Sequence, residues 1–124
     1  MPAKTFRDLI VWQEAYGLTL EIYRITKAFP KDELYGLTGQ VRRAAISVTS
    51  NIAEGFGRAG AKEKDQFYAM AHGSLAEVES QLMVAVGIGY LVQEEYEKIE
   101  LICDKTSRLL QGLRRANKER GVRV

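Results

Sequence analysis

At 124 residues, with 46% hydrophobic and 27% charged side chains, the chain has the composition of one globular domain over 1–124, long enough to bury a core. Eighteen Lys and Arg against sixteen Asp and Glu leave a net charge of +2, too small by itself to predict a nucleic-acid partner. The single cysteine, Cys103, excludes an intrachain disulfide, and no apolar run approaches the roughly 18 residues of a membrane span, so the expectation is a cytoplasmic protein without signal peptide or membrane contact.

From Asp8 to about Lys27 the apolar residues Val11, Ala15, Leu18, Ile22 and Ile25 recur every three or four positions, the period of a helix. Trp12, Tyr16 and Tyr23 form a second stripe beside them, and Pro30 breaks the pattern. A second helix is predicted over Leu37 to Phe56, through Val41, Ala44, Ala45, Val48 and Ile52. A third runs from about Lys62 to Gly89 and a fourth from about Gln93 to Lys118. The fourth begins with acids and ends with Arg114 and Arg115, as the helix dipole favours. Four helices on short connections predict an all-α, antiparallel up-down-up-down four-helix bundle with helices about 30–40 Å long. Small residues crowd the expected inward sides of helices two and three: Ala44, Ala45, Ser47, Ala53, Ala71, Gly73, Ser74 and Ala76.

Between those two helices lies "SNIAEGFGRAG", with Gly55, Gly57 and Gly60 in a G-x-G-x-x-G pattern. That pattern marks a dinucleotide site only on a turn from a β-strand into a helix. Here a helix precedes it, so the glycines are expected to form a helix C-cap and a tight turn in which positive φ is available.

The segments "FRDLIVWQEAY", "RRAAISVTSNIAEGFGR", "FYAMAHGSLAEVESQL" and a late "GY" resemble, in this order, the four-helix-bundle proteins of the 23S rRNA intervening-sequence family. The resemblance runs from about Phe6 to Lys118. That family is in turn similar to the accessory variability proteins of diversity-generating retroelements, pentameric barrels that associate with nucleic acid and a reverse transcriptase. The resemblance therefore implies a cytoplasmic homopentameric ring, and it supplies no catalytic residues.

Nothing in the sequence itself points to chemistry. His72 is the sole histidine, without a second histidine or a cysteine at ligand spacing. Glu54, Glu77 and Glu79 suggest a di-iron bundle, but the paired Glu-x-x-His motifs of those proteins are missing. Catalytic residues, metal and cofactor are all expected to be absent. If helices two and three run antiparallel about the Arg58–Ala61 turn, Arg43 lies beside Glu77, Ser47 beside His72, and Glu54 beside Asp65 or Gln66. Arg43–Glu77 then becomes a structural ion pair fixing register, with Asn51 and Ser74 extending a polar strip that could instead face a partner. A bundle helix needs only one inward stripe, so Trp12, Tyr16 and Tyr23 are candidates for an oligomer interface.

The predicted topology sorts the charges. One end gathers Lys4, Arg7, Arg58, Lys62, Lys64, Arg114, Arg115, Lys118, Arg120 and Arg123, ten cations, against Asp8, Glu54, Glu63, Asp65 and Glu119. The other has Lys27, Lys31 and Lys98 against Asp32, Glu33, Glu94, Glu95, Glu97 and Glu100. Arg58, Lys62, Lys64, Arg114, Arg115 and Lys118 are the candidate nucleic-acid contacts, repeated around a ring and reading phosphates without bases. The expected function is a non-enzymatic oligomeric bundle that binds RNA, DNA or a nucleic-acid-bound protein. The alternatives are a protein–protein scaffold and an enzyme using Glu54, Glu77 or His72.

Overall fold

The computed structural model describes residues 2–123, which contain helices and no strand. Short 3-10 turns at Phe6–Asp8 and Lys31–Glu33 accompany four α-helices: α1 (Ile10–Thr26), α2 (Leu37–Phe56), α3 (Ala61–Gly87) and α4 (Gln93–Arg123). Together they form a four-helix bundle in which α1 packs on α2 and α4, and α3 packs on α2 and α4. No described helix is long and apolar enough to cross a membrane. The side chain of Arg123, a cation expected at the basic end, lies outside the described residues.

The apolar spacing read in the sequence is what the core uses. Leu18 and Ile22 from α1, Ile52 from α2, Leu75 and Leu82 from α3, and Ile99 and Leu110 from α4 are almost fully buried. Each such side chain contributes about 1.5–3 kcal/mol on leaving water. Cys103 is buried among them, and loss of hydration pushes its thiol pKa up, as for an inert apolar filler.

Polar groups close the ends. Thr26 Oγ1 donates to Ile22 O and accepts from Arg42 Nε at 2.8 Å, tying the end of α1 to α2 just before Pro30 breaks the chain. Glu33 accepts from the Leu37 amide at the start of α2 and from the Tyr90 hydroxyl, joining the α1–α2 and α3–α4 loops. At the other end of α2, Lys64 Nζ donates to Phe56 O at 2.6 Å and to Gly55 O at 3.4 Å, satisfying carbonyls that a helix C-terminus leaves open.

Three expectations change. Gly55, Gly57 and Gly60 do not use positive φ; among the described residues only Gly89 does, at +89°, between α3 and α4. Gly55 is required for space instead, because a Cβ there would stand 2.7 Å from the Tyr68 ring and 3.0 Å from Phe67 Cβ. Gly73 and Ala76, expected to face inward, are exposed, whereas Ala44, Ala45, Ala71 and Ser74 are buried as expected.

The third correction concerns Arg43 and Glu77, which form no ion pair. Both are exposed beside the same shallow groove, and the Arg43 guanidinium lies back over Gly39 of its own helix. Water satisfies both charges there, so little drives them together. Midway along α2 and α3 the link between them is neutral: Ser47 Oγ meets Ser74 Oγ at 2.8 Å, and Asn51 Nδ2 donates to Ser47 O and Oγ. Ser47 thus faces Ser74 and not His72, a register about two residues from the expected one. Glu54, expected beside Asp65 or Gln66, instead pairs with Arg58 of its own chain turn at 3.3 Å.

Candidate nucleic-acid interface

The N-terminus of α3 and the last turns of α4 meet at one end of the bundle. Gly60 starts α3 without a side-chain cap, leaving the first-turn amides of that helix without a side-chain acceptor. Asn117 Nδ2 donates to Ala61 O at 2.8 Å, and Gly121 packs so closely that a Cβ on it would stand 2.8 Å from Ala61 Cβ. These contacts explain why α4 continues past Lys118, where the sequence pattern fades. Between the two helices they leave an open groove of about 1320 Å³.

Lys62, Lys64, Arg114, Arg115, Lys118 and Arg120 all line that groove, and Asp65 is the one carboxylate among the described residues lining it. The Asp65 charge is already engaged. Arg114 donates from Nε to Asp65 Oδ1 at 2.8 Å and from Nη2 to Oδ2 at 3.1 Å, a two-pronged pair that holds the Asp65 carboxyl below its ordinary pKa. The third hand of Arg114, Nη1, sits 3.1 Å from His72 Nδ1. Burial, and secondarily the charge of Arg114, hold the His72 pKa below 6.5, so the ring is neutral near pH 7. The lining therefore stays strongly positive after its internal pairing.

The six sequence-predicted contacts divide in two. Arg58 is held by Glu54 and Glu63 and lies over the Phe67 ring, Lys64 caps α2, and Arg114 clamps Asp65. The Lys64 pKa is lowered, chiefly by burial and then by Arg120. Lys62, Arg115 and Lys118 are exposed on the groove and have no carboxylate partner among the described residues, and Arg120 joins them. The Asp65–Arg114–His72 cluster was missed in the sequence. Outward counting from the α3–α4 loop, the same rule that pairs α2 with α3, places Asp65 level with Arg114.

The aromatic stripe also divides. Trp12 is partly buried against the core, stacked on Tyr16 and edge-on to Phe6. Tyr16 is 49% and Tyr23 37% exposed, with Arg42 over the Tyr23 ring. Leu20, 52% exposed, stands between them and extends the outward apolar strip. Elsewhere, Glu79 on α3 shares its surroundings with Glu100 and Asp104 on α4. Burial first, and then those two carboxylates, raise its pKa. Among the described residues no group of three or more His, Cys, Asp or Glu side chains is arranged to hold a metal.

Comparison with known proteins agrees with this architecture. The family model described as 23S rRNA-intervening sequence protein matches residues 7–112. A crystal structure of a protein of unknown function from the S23 ribosomal protein family of Bacteroides thetaiotaomicron superposes with a TM-score of 0.78. The two chains are 19% identical, and the match covers 85% of this chain and 98% of that one, a likeness of fold. No curated protein matches the chain.

Proposed function

This chain belongs to the 23S rRNA-intervening sequence protein family, and we propose that it is a non-enzymatic, oligomeric bundle holding nucleic acid, or a nucleoprotein, by its phosphates. The observation that carries this reading is the groove between α3 and α4. Its single carboxylate is neutralised internally, while Lys62, Arg115, Lys118 and Arg120 remain unpaired among the described residues. The uncapped start of α3 adds a positive helix end on the same side. The described lining is rich in Lys and Arg and contains no Phe, Tyr or Trp on which an unpaired base could stack, which favours contacts to the backbone.

In this reading the helices run antiparallel, up-down-up-down, and five copies close a ring in the cytoplasm, as the resemblance to pentameric barrels implies. The outward strip of Tyr16, Leu20 and Tyr23 supports an interface between copies, since three large apolar side chains at helical spacing are each more than a third exposed in one protomer. Light scattering should return five times the protomer mass of 13.9 kDa. A stable monomer at micromolar concentration would remove the ring.

The test of binding is fluorescence anisotropy with short labelled RNA and DNA at two salt concentrations. Affinity should fall steeply with salt and vary little with sequence. Combining Lys62→Gln, Arg115→Gln and Lys118→Gln should weaken binding. For duplex DNA it should flatten the salt dependence by about 0.9 in log–log slope per lost phosphate contact. Lys98→Gln, on an exposed part of α4 away from the groove, is the matched control. Loss of binding in the control but not in the triple variant would place the interface elsewhere, and no binding at low salt would favour a protein scaffold.

A further inference from the structure

His72 is the only histidine in the chain and lies on the wall of the basic groove. Its Nδ1 is 3.1 Å from Arg114 Nη1. A guanidinium nitrogen donates and never accepts, so this contact exists only while Nδ1 carries a lone pair. The proton of the neutral ring is therefore on Nε2. Adding a second proton at Nδ1 turns the contact into two donors facing each other, both on positively charged groups.

Arg114 has little freedom to retreat, because Nε and Nη2 are held by the two oxygens of Asp65. Two donors held this close are reconciled by an acceptor to one side of the pair that takes a hydrogen bond from each. A phosphate oxygen from the groove can accept from both. The charges that bear on the ring are Arg114 on α4 and Asp65 on its own helix, with Arg115 and Lys118 of α4 lining the same groove. A lone protonated ring among these cations is unfavourable, whereas a protonated ring with a bound phosphodiester is compensated.

On the premise that the groove holds phosphates, we infer that His72 and Arg114 form a proton-coupled phosphate subsite, in which binding of a phosphodiester takes up a proton at His72 Nδ1. No bond other than N–H is made or broken, and the proton comes from solvent. Linkage requires the converse as well: nucleic acid raises the affinity of His72 for its proton by the factor by which the proton tightens binding. The depressed pKa of the free ring leaves room for that rise. Phosphodiesters do not titrate between pH 5 and 8, so they make a clean probe.

The experiment uses a labelled 16-base-pair DNA duplex and the full-length protein at fixed salt, with anisotropy read between pH 7.5 and 5.5. Affinity should tighten as pH falls, by at most about tenfold per pH unit for one proton taken up. His72→Gln, which keeps a polar side chain but cannot titrate, should bind at pH 7.5 and show a flat profile. Because there is one histidine, its ring proton resonance in the wild-type protein reports the titration without any variant. Its midpoint should move up on adding duplex. Binding at pH 7.5 with an unmoved His72 midpoint, or a pH profile unchanged in His72→Gln, overturns the subsite and leaves the groove reading standing. Absence of duplex binding at both pH values overturns both.

Discussion

Helix α3 packs against α2 along one side and against α4 along the other, and the two seams are closed by different residues. Toward α2 the contact is close and, apart from Lys64 on the last carbonyls of α2, neutral: Gly55 under Tyr68, Ser47 against Ser74, and Ala44, Ala45 and Ala71 buried. Toward α4, at the end where α3 begins, the contact is charged: Arg114 reaches across to Asp65 and His72. Small side chains let backbones approach and leave no room between them. Long charged ones can bridge an open groove, and here Arg114, Asp65 and His72, which meet across it, also form its walls. One helix therefore takes part both in a close contact between small residues and in a strongly basic groove.

The steepest test of this contrast is at Gly55. Gly55→Val should destabilise the protein by about 1–3 kcal/mol, since a Cβ at 2.7 Å from a buried ring forces α2 and α3 apart. Gly73→Ala, on α3 with nothing within 4 Å of the added carbon, should instead stabilise by about 0.5–1 kcal/mol through helix propensity. Urea unfolding of both variants is the measurement. If Gly55→Val is tolerated, close approach is not what that glycine provides.

At the charged seam the expected effects are smaller because the groups are partly solvated. Arg114→Gln should cost about 0.2–1 kcal/mol, as for other ion pairs that water can reach. Its signature is in the pH dependence. The Asp65 carboxyl is held down by Arg114, so its contribution is present above the ordinary carboxylate pKa and fades as pH falls through the lowered value. The variant should lose that acid-range slope. His72 acts in the same sense at higher pH. With its folded pKa below 6.5, the unfolded chain binds the proton more readily, so stability declines as pH drops from 6.5 toward the lower folded value. His72→Gln should flatten this region of the profile.

Glu79 gives the opposite sign. Its pKa is raised by burial and by Glu100 and Asp104, so the folded state favours the protonated carboxyl and stability is lost as pH rises through the folded pKa. Glu79→Gln removes a charge held in poor surroundings. It should stabilise the protein at pH 7 by less than about 1 kcal/mol and change little near pH 4, as thermal melts at the two pH values would report.

How much of this was written in the sequence depends on which force sets each feature. The helices and most of the core were legible, because Val11 to Ile25, Val41 to Ile52 and the corresponding residues of α3 and α4 repeat with the helical period and burial follows period. The end of α4 was not, because Asn117 and Gly121 are held by a contact with Ala61 that no local pattern announces. The role of Gly55 was misread for a similar reason: a glycine near a helix end suggests positive φ, and only the distant Tyr68 shows that space is the cause. The basic end was legible as a set of cations. The pairing within it was not, since Arg58, Lys64 and Arg114 differ from Lys62, Arg115 and Lys118 only in what lies across from them.

The smallest expected effect is at Arg43 and Glu77, and it separates the two seams most sharply. Both side chains are exposed, and the register that places Ser47 on Ser74 leaves them flanking a shallow groove without meeting. Each is hydrated, so removing either leaves no buried charge behind, the condition that makes loss of one ion-pair partner costly. Arg43→Ala and Glu77→Ala should each change stability by no more than about 0.5 kcal/mol. In the double variant the two effects should add within about 0.5 kcal/mol. Urea unfolding of the two single variants and the double provides the cycle. A coupling clearly above about 0.5 kcal/mol would mean that the α2–α3 seam, like the one on the other side of α3, is closed by charge. Additivity would leave Gly55, the alanines and the serine pair as what draws those two helices together.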